Sequence, residues 1–339
     1  DDFSVMPQIG KNINSRQLAR KWPFLRYEKF EETLRKAASE WFKEKSFKTH
    51  PRNSYCLANW DDWEKNIILD EVAGYIRKVK NDCEQKRKPF PLHKYIHHAL
   101  SSQAMAFNLI GPLITRKDYE PIVSVLQTKG LPNSNDIFSA SFEYEDRDIF
   151  NEDSGQPTSI DIVLKNNNGR PIIFIESKLV ERGFGGCSVF AGGDCNGQNP
   201  INNYDYCFLH FIGRKYWVLM DKHGFSEILR NEKLCIFVEY YQFFRELLFS
   251  IEKGGVFVLL SDERSPVFHC KVNGIERGKM AFLTNILPKQ HKDRIMSISI
   301  QEMVEAIRRT NRHTDWINEF EKKYGLHNRS LQRTAYRHP

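Results

Sequence analysis

One stretch of the chain, SIDIVLKNNNGRPIIFIESK at residues 159–178, limits the possible folds more than any other. It holds two apolar runs rich in Ile, Val and Phe, which favour strands, separated by Asn and Gly residues. Asn168-Gly169 favours a hairpin turn, because both residue types accept a positive φ. The stretch therefore predicts an antiparallel hairpin whose two strands belong to the core.

Three charged side chains interrupt the apolar runs of this hairpin. If the turn has two residues, Asn167 faces Arg170, and the same register places Asp161 directly opposite Glu176. The Cβ atoms of such a pair lie about 4.5–5.5 Å apart. Lys178 is two residues beyond Glu176 and points to the same face. Two carboxylates this close are destabilising unless a cation lies between them, so the hairpin predicts a divalent-cation site beside a lysine.

An ordinary salt network on a solvent-facing sheet is the alternative explanation for the three charges. The same face of the hairpin also carries the apolar residues Val163, Ile172 and Phe174. Apolar neighbours of this kind favour a buried site over a solvated face.

Two segments before the hairpin carry polar residues that could join such a site. The sequence DIFSASFEYE at 136–145 alternates and predicts a strand with Glu143 and Glu145 on one face. The sequence HKYIHHALSSQAMAFNLIGPL predicts a helix ended by Gly111-Pro112, with Gln103 inside its apolar stripe. A buried glutamine needs partners, because leaving it unsatisfied costs about 1–3 kcal/mol. Gln103 therefore either bonds to nearby backbone or belongs to the site.

The rest of the chain predicts an α/β protein with a mixed sheet. Charged and aromatic residues recur at helical spacing over 16–46 and 61–88, up to the basic run Lys86, Arg87 and Lys88. Strands are predicted at GVFVLLSDE and at the start of IMSISIQEMVEAIRRT, and buried helices at 201–221 and 234–255. We divide the chain into a basic helical region (1–90), a core (91–270) with a Cys/Gly-rich insertion at 181–200, and a C-terminal strand and helix extension (271–339).

The net charge of +7 is distributed unevenly along the chain. Residues 1–90 carry 19 Lys and Arg against 14 Asp and Glu, and residues 291–339 carry 10 against 6. The middle, 91–290, is slightly acidic, with 21 against 23. Basic flanks around an acidic centre suit a polyanion held over a central metal site, although a surplus of this size is also common as ordinary surface charge.

The composition predicts a protein of the reducing cytoplasm. No apolar run is long enough to span a membrane, and the first residues, DDFSVMPQIGKN, lack the pattern of a secretion signal. Seven cysteines, an odd number scattered over the chain, argue against a disulfide scaffold.

Four residues in and after the insertion predict a structural zinc site with the spacing Cys-x7-Cys-x11-Cys-x2-His: Cys187, Cys195, Cys207 and His210. Cys207 and His210 would share one face of a predicted helix, and a glycine-rich loop has few apolar residues to order it without a metal. Two alternatives remain open. One is an iron–sulfur cluster with Cys235 in place of His210, and the other is a set of unrelated reduced thiols.

An acid on one strand and Glu-x-Lys on the next, here SID and ESK, resembles the PD-(D/E)XK nuclease superfamily. The segment HHALSSQAMAFNLIGPL is similar to the first helix of a bacterial restriction-endonuclease-like branch of that superfamily. The proline that usually precedes the aspartate is Ile160 here, and the Cys/Gly-rich insertion is not part of the common core. The resemblance covers about residues 100–260 and implies a restriction-endonuclease-like core behind a helical N-terminal region.

The resemblance also implies roles for individual residues. Asp161, Glu176 and the backbone carbonyl of Ser177 would hold Mg²⁺ or Mn²⁺, and Lys178 would position the attacking water or stabilise the transition state. Glu143, with Glu145 as the alternative, is the candidate for a further ligand or base, and Gln103 would occupy the polar position of the first helix.

The function implied is metal-dependent cleavage of DNA, as double-stranded substrate, in bacterial defence against foreign DNA. Lys86, Arg87 and Lys88 are the predicted nucleic-acid contacts, and the chain could act as a homo-oligomer or with other defence subunits. Two alternatives belong to other classes. The chain could be a catalytically silent nucleic-acid-binding or assembly subunit, or an interaction protein whose helical flanks dock a partner.

Overall fold

A computed structural model describes residues 25–88, 90–131 and 136–326 of the chain. Its strands are β1 (Thr49–His50), β2 (Asn53–Leu57), β3 (Ile137–Glu145), β4 (Ser159–Asn166), β5 (Pro171–Lys178), β6 (Val256–Ser261), β7 (Cys270–Val272), β8 (Ile275–Arg277) and β9 (Ile295–Ser299). Its α-helices are α1 (Leu25–Glu44), α2 (Asp70–Gln85), α3 (Ser102–Thr115), α4 (Glu120–Thr128), α5 (Ser188–Ala191), α6 (Phe208–Phe211), α7 (Tyr216–Lys222), α8 (Phe225–Leu229), α9 (Phe237–Glu252), α10 (Lys279–Asn285), α11 (Ile300–Arg309) and α12 (Ile317–Lys323). Short 3₁₀ helices occupy Trp60–Asn66, Tyr204–Tyr206 and Lys289–Arg294.

The centre of the fold is a five-stranded sheet in the spatial order β3-β4-β5-β6-β9. The pairs β3/β4 and β4/β5 are antiparallel, whereas β5/β6 and β6/β9 are parallel. Alternate residues of β4 enter two different hydrophobic cores, with Ile162 and Leu164 on one side and Val163 on the other. Helices α3 and α11 contribute to the first core and α9 to the second. The predicted α/β class, with a mixed sheet between helices, is confirmed.

The loop between β4 and β5 is one residue longer than predicted. The backbone N–H of Asn166 donates to the carbonyl of Arg170 at 3.0 Å, so three residues form the loop instead of two. Gly169 closes it with a φ of 72°. A bulge farther along the ladder then restores the predicted register, in which Ile162 faces Ile175. The prediction of a two-residue turn is wrong, but the next pair in this register is still Asp161 and Glu176.

Substitution of Gly169 by Ala should lower the free energy of unfolding by about 1 kcal/mol, because a side chain there strains a positive φ. An added Cβ would meet no atom within 4 Å, so the effect is one of backbone conformation alone. The matched control is Gly74 inside α2, where an added Cβ also meets nothing within 4 Å. Gly74→Ala should raise the free energy of unfolding by about 0.5–1 kcal/mol. Urea denaturation measures both, and the same sign for the two variants would contradict the assigned turn.

The helix α3 begins and ends later than predicted. Residues 94–97 and 99–100 form turns, and the helix starts after Ser101, whose side chain accepts a hydrogen bond from the Ala104 backbone N–H. It then continues through Gly111-Pro112 to Thr115. Proline inside a helix costs about 3 kcal/mol, but every residue from 103 to 114 is buried here. Tertiary packing therefore outweighs the local stop sequence.

Gly111 allows α2 and α3 to pack closely. A Cβ at this position would lie 2.5 Å from Cγ1 of Val72 in α2, which is shorter than any normal contact. The glycine is thus required by the approach of the two helices, and not by its φ.

The N-terminal region is helical as predicted, but it also contains a small hairpin. Helix α1 falls within the helix predicted at 16–46, and residues 16–24 of that prediction lie outside the described residues. The helix predicted at 61–88 is divided into the 3₁₀ helix Trp60–Asn66 and α2. Strands β1 and β2 pair as a hairpin between α1 and the 3₁₀ helix, an element that the sequence did not predict.

The single buried helix predicted at 201–221 is wrong. A 3₁₀ helix and two short α-helices, α6 and α7, occupy this segment, and Gly213 between α6 and α7 has a φ of 88°. Cys207 is extended, with φ −103° and ψ 112°, and precedes α6, which contains His210. The two residues therefore do not share a helix face.

No helix among the described residues is long and apolar enough to cross a membrane. All seven cysteines lie within the described ranges, and each is a free thiol.

Candidate active site

Glu176 and Lys178 lie at the carboxyl end of β5, side by side on one face of the sheet. Both are buried, with 2% and 6% of their surface exposed. The Nζ of Lys178 donates to Oε1 of Glu176 at 2.5 Å and to Oε1 of Gln242 at 2.9 Å. The Glu-x-Lys spacing that the sequence predicted thus forms a buried ion pair.

Asp161 reaches this pair from the neighbouring strand β4. Its Oδ2 accepts a hydrogen bond from the backbone N–H of Ser177 at 2.9 Å and a second from the Ser177 hydroxyl. Ser177 lies between the two residues of the ion pair, so these bonds fix Asp161 beside it. The structure therefore brings together the three charged residues predicted from the hairpin.

Helix α9 adds two residues that the sequence analysis missed. The Nε2 of Gln242 donates to Oε1 of Glu176 at 2.7 Å and to Oε1 of Glu246 at 2.8 Å. Glu246 is buried, with 2% of its surface exposed. The two residues are four apart and hence on one face of the helix. Polar residues four apart on either side of two phenylalanines in QFFRE could have indicated a helix face turned towards a site.

Glu143 joins the site through an irregularity in β3. It has a φ of 53°, which is unusual for a residue other than glycine. On either side of it, Phe142 packs against Phe107 of α3, whereas Tyr144 packs against Phe174 in the opposite core. The simple alternation predicted for this strand is therefore wrong at Glu143.

Gln103, the polar residue in the apolar stripe of α3, contacts this carboxylate. Its Nε2 donates to Oε1 of Glu143 at 2.7 Å, and Ser159 donates to the other carboxylate oxygen at 2.8 Å. Gln103 also bonds to the carbonyl of Pro91 and the backbone N–H of His93, each at 2.8 Å. Gln103 therefore bonds to nearby backbone and also belongs to the site, so both explanations predicted for it hold.

Burial raises the pKa of each carboxyl group in this cluster, and repulsion between the acids adds to the effect for Glu143, Glu176 and Glu246. Burial, with the charge of Asp161, raises the pKa of Glu143 to about 8 and that of Glu176 to about 7. Burial also raises the pKa of Asp161, and burial with the charge of Glu176 raises that of Glu246 well above its usual value. Burial acts to lower the pKa of Lys178, but the surrounding carboxylates outweigh it and raise that pKa. Four acids around one lysine leave the site short of positive charge.

Two carboxylate oxygens in this cluster are buried and have no hydrogen-bond partner within the described ranges, namely Oε2 of Glu176 and Oε2 of Glu246. An unsatisfied buried acceptor costs about 1–3 kcal/mol, and more when it is charged. Both atoms would be satisfied by a water or a cation.

The donor set of the site matches what Mg²⁺ prefers. Carboxylate and carbonyl oxygens are its ligands in proteins, and it usually keeps several waters while binding one or two carboxylates. In the part of the chain that the structure describes, no three His, Cys, Asp or Glu side chains are arranged so that they could hold a metal. Two carboxylates, Asp161 and Glu176, are enough for a hydrated Mg²⁺, and the carbonyl of Ser177 stays a predicted third ligand.

The basic run at Lys86, Arg87 and Lys88 is exposed just after α2. Three residues farther along, Pro91 accepts the hydrogen bond from Gln103. Three extended residues span at most about 10–11 Å, so the run lies near the edge of the site.

The residues predicted for zinc are only partly brought together. Three of them, Cys187, Cys195 and Cys207, line one small cavity. His210 is not among the residues that line it, whereas Cys235 is.

Residues 35–325 match the family REase-ARP, described as Restriction Endonuclease associating with ARP. The chain belongs to this family. No curated protein and no solved structure matches the sequence. Membership establishes a relationship to restriction endonucleases and includes the whole of the carboxylate and lysine cluster.

Proposed function

We propose that this protein is a Mg²⁺-dependent endonuclease of the PD-(D/E)XK type that hydrolyses phosphodiester bonds of double-stranded DNA, in bacterial defence against foreign DNA. The observation that carries the proposal is the buried cluster at the end of β5. There Glu176 is paired with Lys178, and Asp161 is fixed beside them through Ser177. A salt network that served stability alone would have no reason to bury more acids than bases.

In the proposed reaction, Asp161 and Glu176 would bind the cation together with the carbonyl of Ser177. When bound, Mg²⁺ would polarise a phosphate oxygen and make a water more acidic. Lys178 donates hydrogen bonds to Glu176 and Gln242, which orient its ammonium group at the site. From there it would stabilise the negative charge that develops on the phosphate.

Gln242 and Gln103 act as positioning residues in this proposal. Gln242 bridges Glu176 and Glu246, so it holds the deeper carboxylates in one arrangement. Gln103 holds Glu143 and at the same time the segment at Pro91. A carboxyl group with a pKa of about 8, as at Glu143, can exchange a proton near neutral pH, which suits a base at the outer edge of the site.

The test is a cleavage assay on supercoiled plasmid and on duplex oligonucleotides with Mg²⁺ or Mn²⁺, with EDTA as the control. We expect nicked or linear products with either cation and none with EDTA. Single-stranded DNA and RNA of the same sequence identify the preferred substrate. Because the family description names an association with ARP, the assay is run with the chain alone and with that partner added. No cleavage in either case would favour the alternative of a silent binding or assembly subunit.

Reversing the charge of the basic run should weaken DNA binding about equally on all sequences. Each phosphate contact contributes about −0.9 to the slope of log K against log salt, so the triple Glu variant at Lys86, Arg87 and Lys88 should show a shallower slope. The matched control reverses Lys289 and Lys292, which are exposed at the opposite end of the parallel strands. Equal losses per reversed charge in the two variants, measured by fluorescence anisotropy at several salt concentrations, would refute a specific role for the run.

A further inference from the structure

Four cysteine side chains surround one small cavity beside the second hydrophobic core. The cavity has a volume of about 20 Å³, and its other walls are mainly apolar and aromatic, including Phe190 and Phe237. A cavity needs about 10–15 Å³ to hold one water, so this one has room for a single water or ion. The cysteines that line it are Cys187, Cys195, Cys207 and Cys235.

Backbone hydrogen bonds join the insertion to the start of α9 at these cysteines. The N–H of Cys187 donates to the carbonyl of Phe237, and the N–H of Cys235 donates to the carbonyl of Gly197, both at 2.8 Å. The bridge between Gln198 and Leu234 lies beside the second bond. The cysteines are therefore the points at which two segments of the chain meet.

Three of the four sulfur atoms also accept hydrogen bonds from nearby backbone. The N–H of Gly197 donates to Sγ of Cys195 at 3.3 Å, and backbone groups of Phe237 and Leu209 bond to Cys235 and Cys207. Such donors stabilise a thiolate relative to a thiol. Neutral cysteines that only fill space in a core need no donors aimed at them.

Burial raises the pKa of Cys235 to about 12 and also raises that of Cys207. A cation bound among them would supply the charge that favours deprotonation.

The side chains that line the cavity determine which kind of cation could bind there. Within the described ranges no carboxylate or imidazole lines the cavity, and an all-sulfur set suits Zn²⁺ and excludes Mg²⁺. As the side chains of the described residues stand, no three of them could hold a metal, so binding requires the thiols to rotate into the cavity. His210 is outside this wall, and its ring packs against Tyr204.

We propose that the four cysteines of this cavity bind one structural zinc ion: Cys187, Cys195, Cys207 and Cys235. Each thiol releases its proton to solvent as the Zn–S bond forms, and no electron is transferred. This set replaces the predicted ligand His210 by Cys235. The zinc would order the glycine-rich insertion and fix it to the start of α9, the helix that carries Gln242 and Glu246.

The first test uses the unaltered protein, purified under reducing conditions without added metal. Elemental analysis should find one zinc per chain and no iron. Titration with a mercurial reagent in the presence of a zinc indicator should release that zinc as four thiols react. Replacement by Co²⁺ should give the intense visible bands of a tetrahedral thiolate site. A protein that holds no zinc, either as purified or after incubation with Zn²⁺, overturns the proposal, and so does iron with visible absorbance.

The second test separates the two possible ligand sets. Cys235→Ser should lose the zinc, whereas His210→Ala should keep it. Cys83→Ser, at a thiol far from the cavity in sequence and partly buried in α2, is the matched control and should also keep it. Zinc lost from the His210 variant and kept by the Cys235 variant would restore the Cys₃His set and overturn the four-cysteine site. These measurements do not depend on DNA cleavage, so their outcome is independent of the proposed nuclease activity.

Discussion

Replacing Asp161 by Asn, or Glu176 by Gln, should slow DNA cleavage by about 10³-fold or more, which corresponds to about 4 kcal/mol of transition-state stabilisation. Asp161→Asn should not lower the free energy of unfolding, whereas Glu176→Gln removes one partner of the buried ion pair with Lys178 and should lower it. The charge of Asp161 raises the pKa of both Glu143 and Glu176, so removing one charge relieves repulsion in the cluster. A large loss of rate without a loss of stability separates a catalytic role from a structural one.

The measurement combines single-turnover cleavage of a duplex substrate with urea denaturation of the same preparations. Glu145→Gln is the matched control, because Glu145 is the other strand β3 acid considered for the site, whereas Glu143 is the one that contacts Gln103. The control should cleave at nearly the unaltered rate. Cleavage by the Asp161 or Glu176 variant at that same rate would show that the active site lies elsewhere.

Lys178→Met should reduce both cleavage and stability. The side chain of Lys178 is buried and its Nζ pairs with Glu176, so the variant leaves several buried acids without a counter-charge. Breaking a buried ion pair by removing one partner costs about 3–5 kcal/mol of unfolding free energy. The expected result is a much lower urea midpoint and no detectable cleavage.

Added Mg²⁺ provides a further readout for this variant, because a cation between the carboxylates would restore part of the lost stability. Lys165→Met, at a partly exposed lysine of the same hairpin, is the control and should change the free energy of unfolding by about 0.5 kcal/mol or less. If the Lys178 variant were as stable as the unaltered protein, its ion pair would not be the counter-charge of the cluster.

The sequence was sufficient to predict the hairpin and the three charged residues at its end. Successive side chains of a strand point to opposite faces of the sheet. The apolar pattern and the turn sequence therefore determine which side chains lie opposite each other. The prediction tolerated an error in the loop, because the bulge that follows the loop compensated for its extra residue. The register depends on the loop length and the bulge together. The predicted register was therefore right although the predicted loop length was wrong.

The contributions of Glu143 and α9 could not be predicted in the same way. Glu143 reaches Gln103 only because its own φ is positive, and no periodic pattern predicts a left-handed residue inside a strand. Gln242 and Glu246 are about 65 residues beyond the hairpin, and only the packing of α9 against the sheet brings them to it. The Pro112 stop failed for a related reason, since burial of the whole helix determined where it ends.

The close packing at Gly111 has a mechanical consequence for how such an enzyme would choose its cutting position. Helix α2 leads to the exposed basic run, and α3 carries Gln103, which contacts Glu143 in the candidate active site. Because Val72 lies directly against Gly111, the two helices cannot slide past each other without a clash. In the proposed nuclease, the two helices would hold the basic run at a fixed distance from the active site. DNA bound by the run would then be cut at a constant number of nucleotides from the bound position.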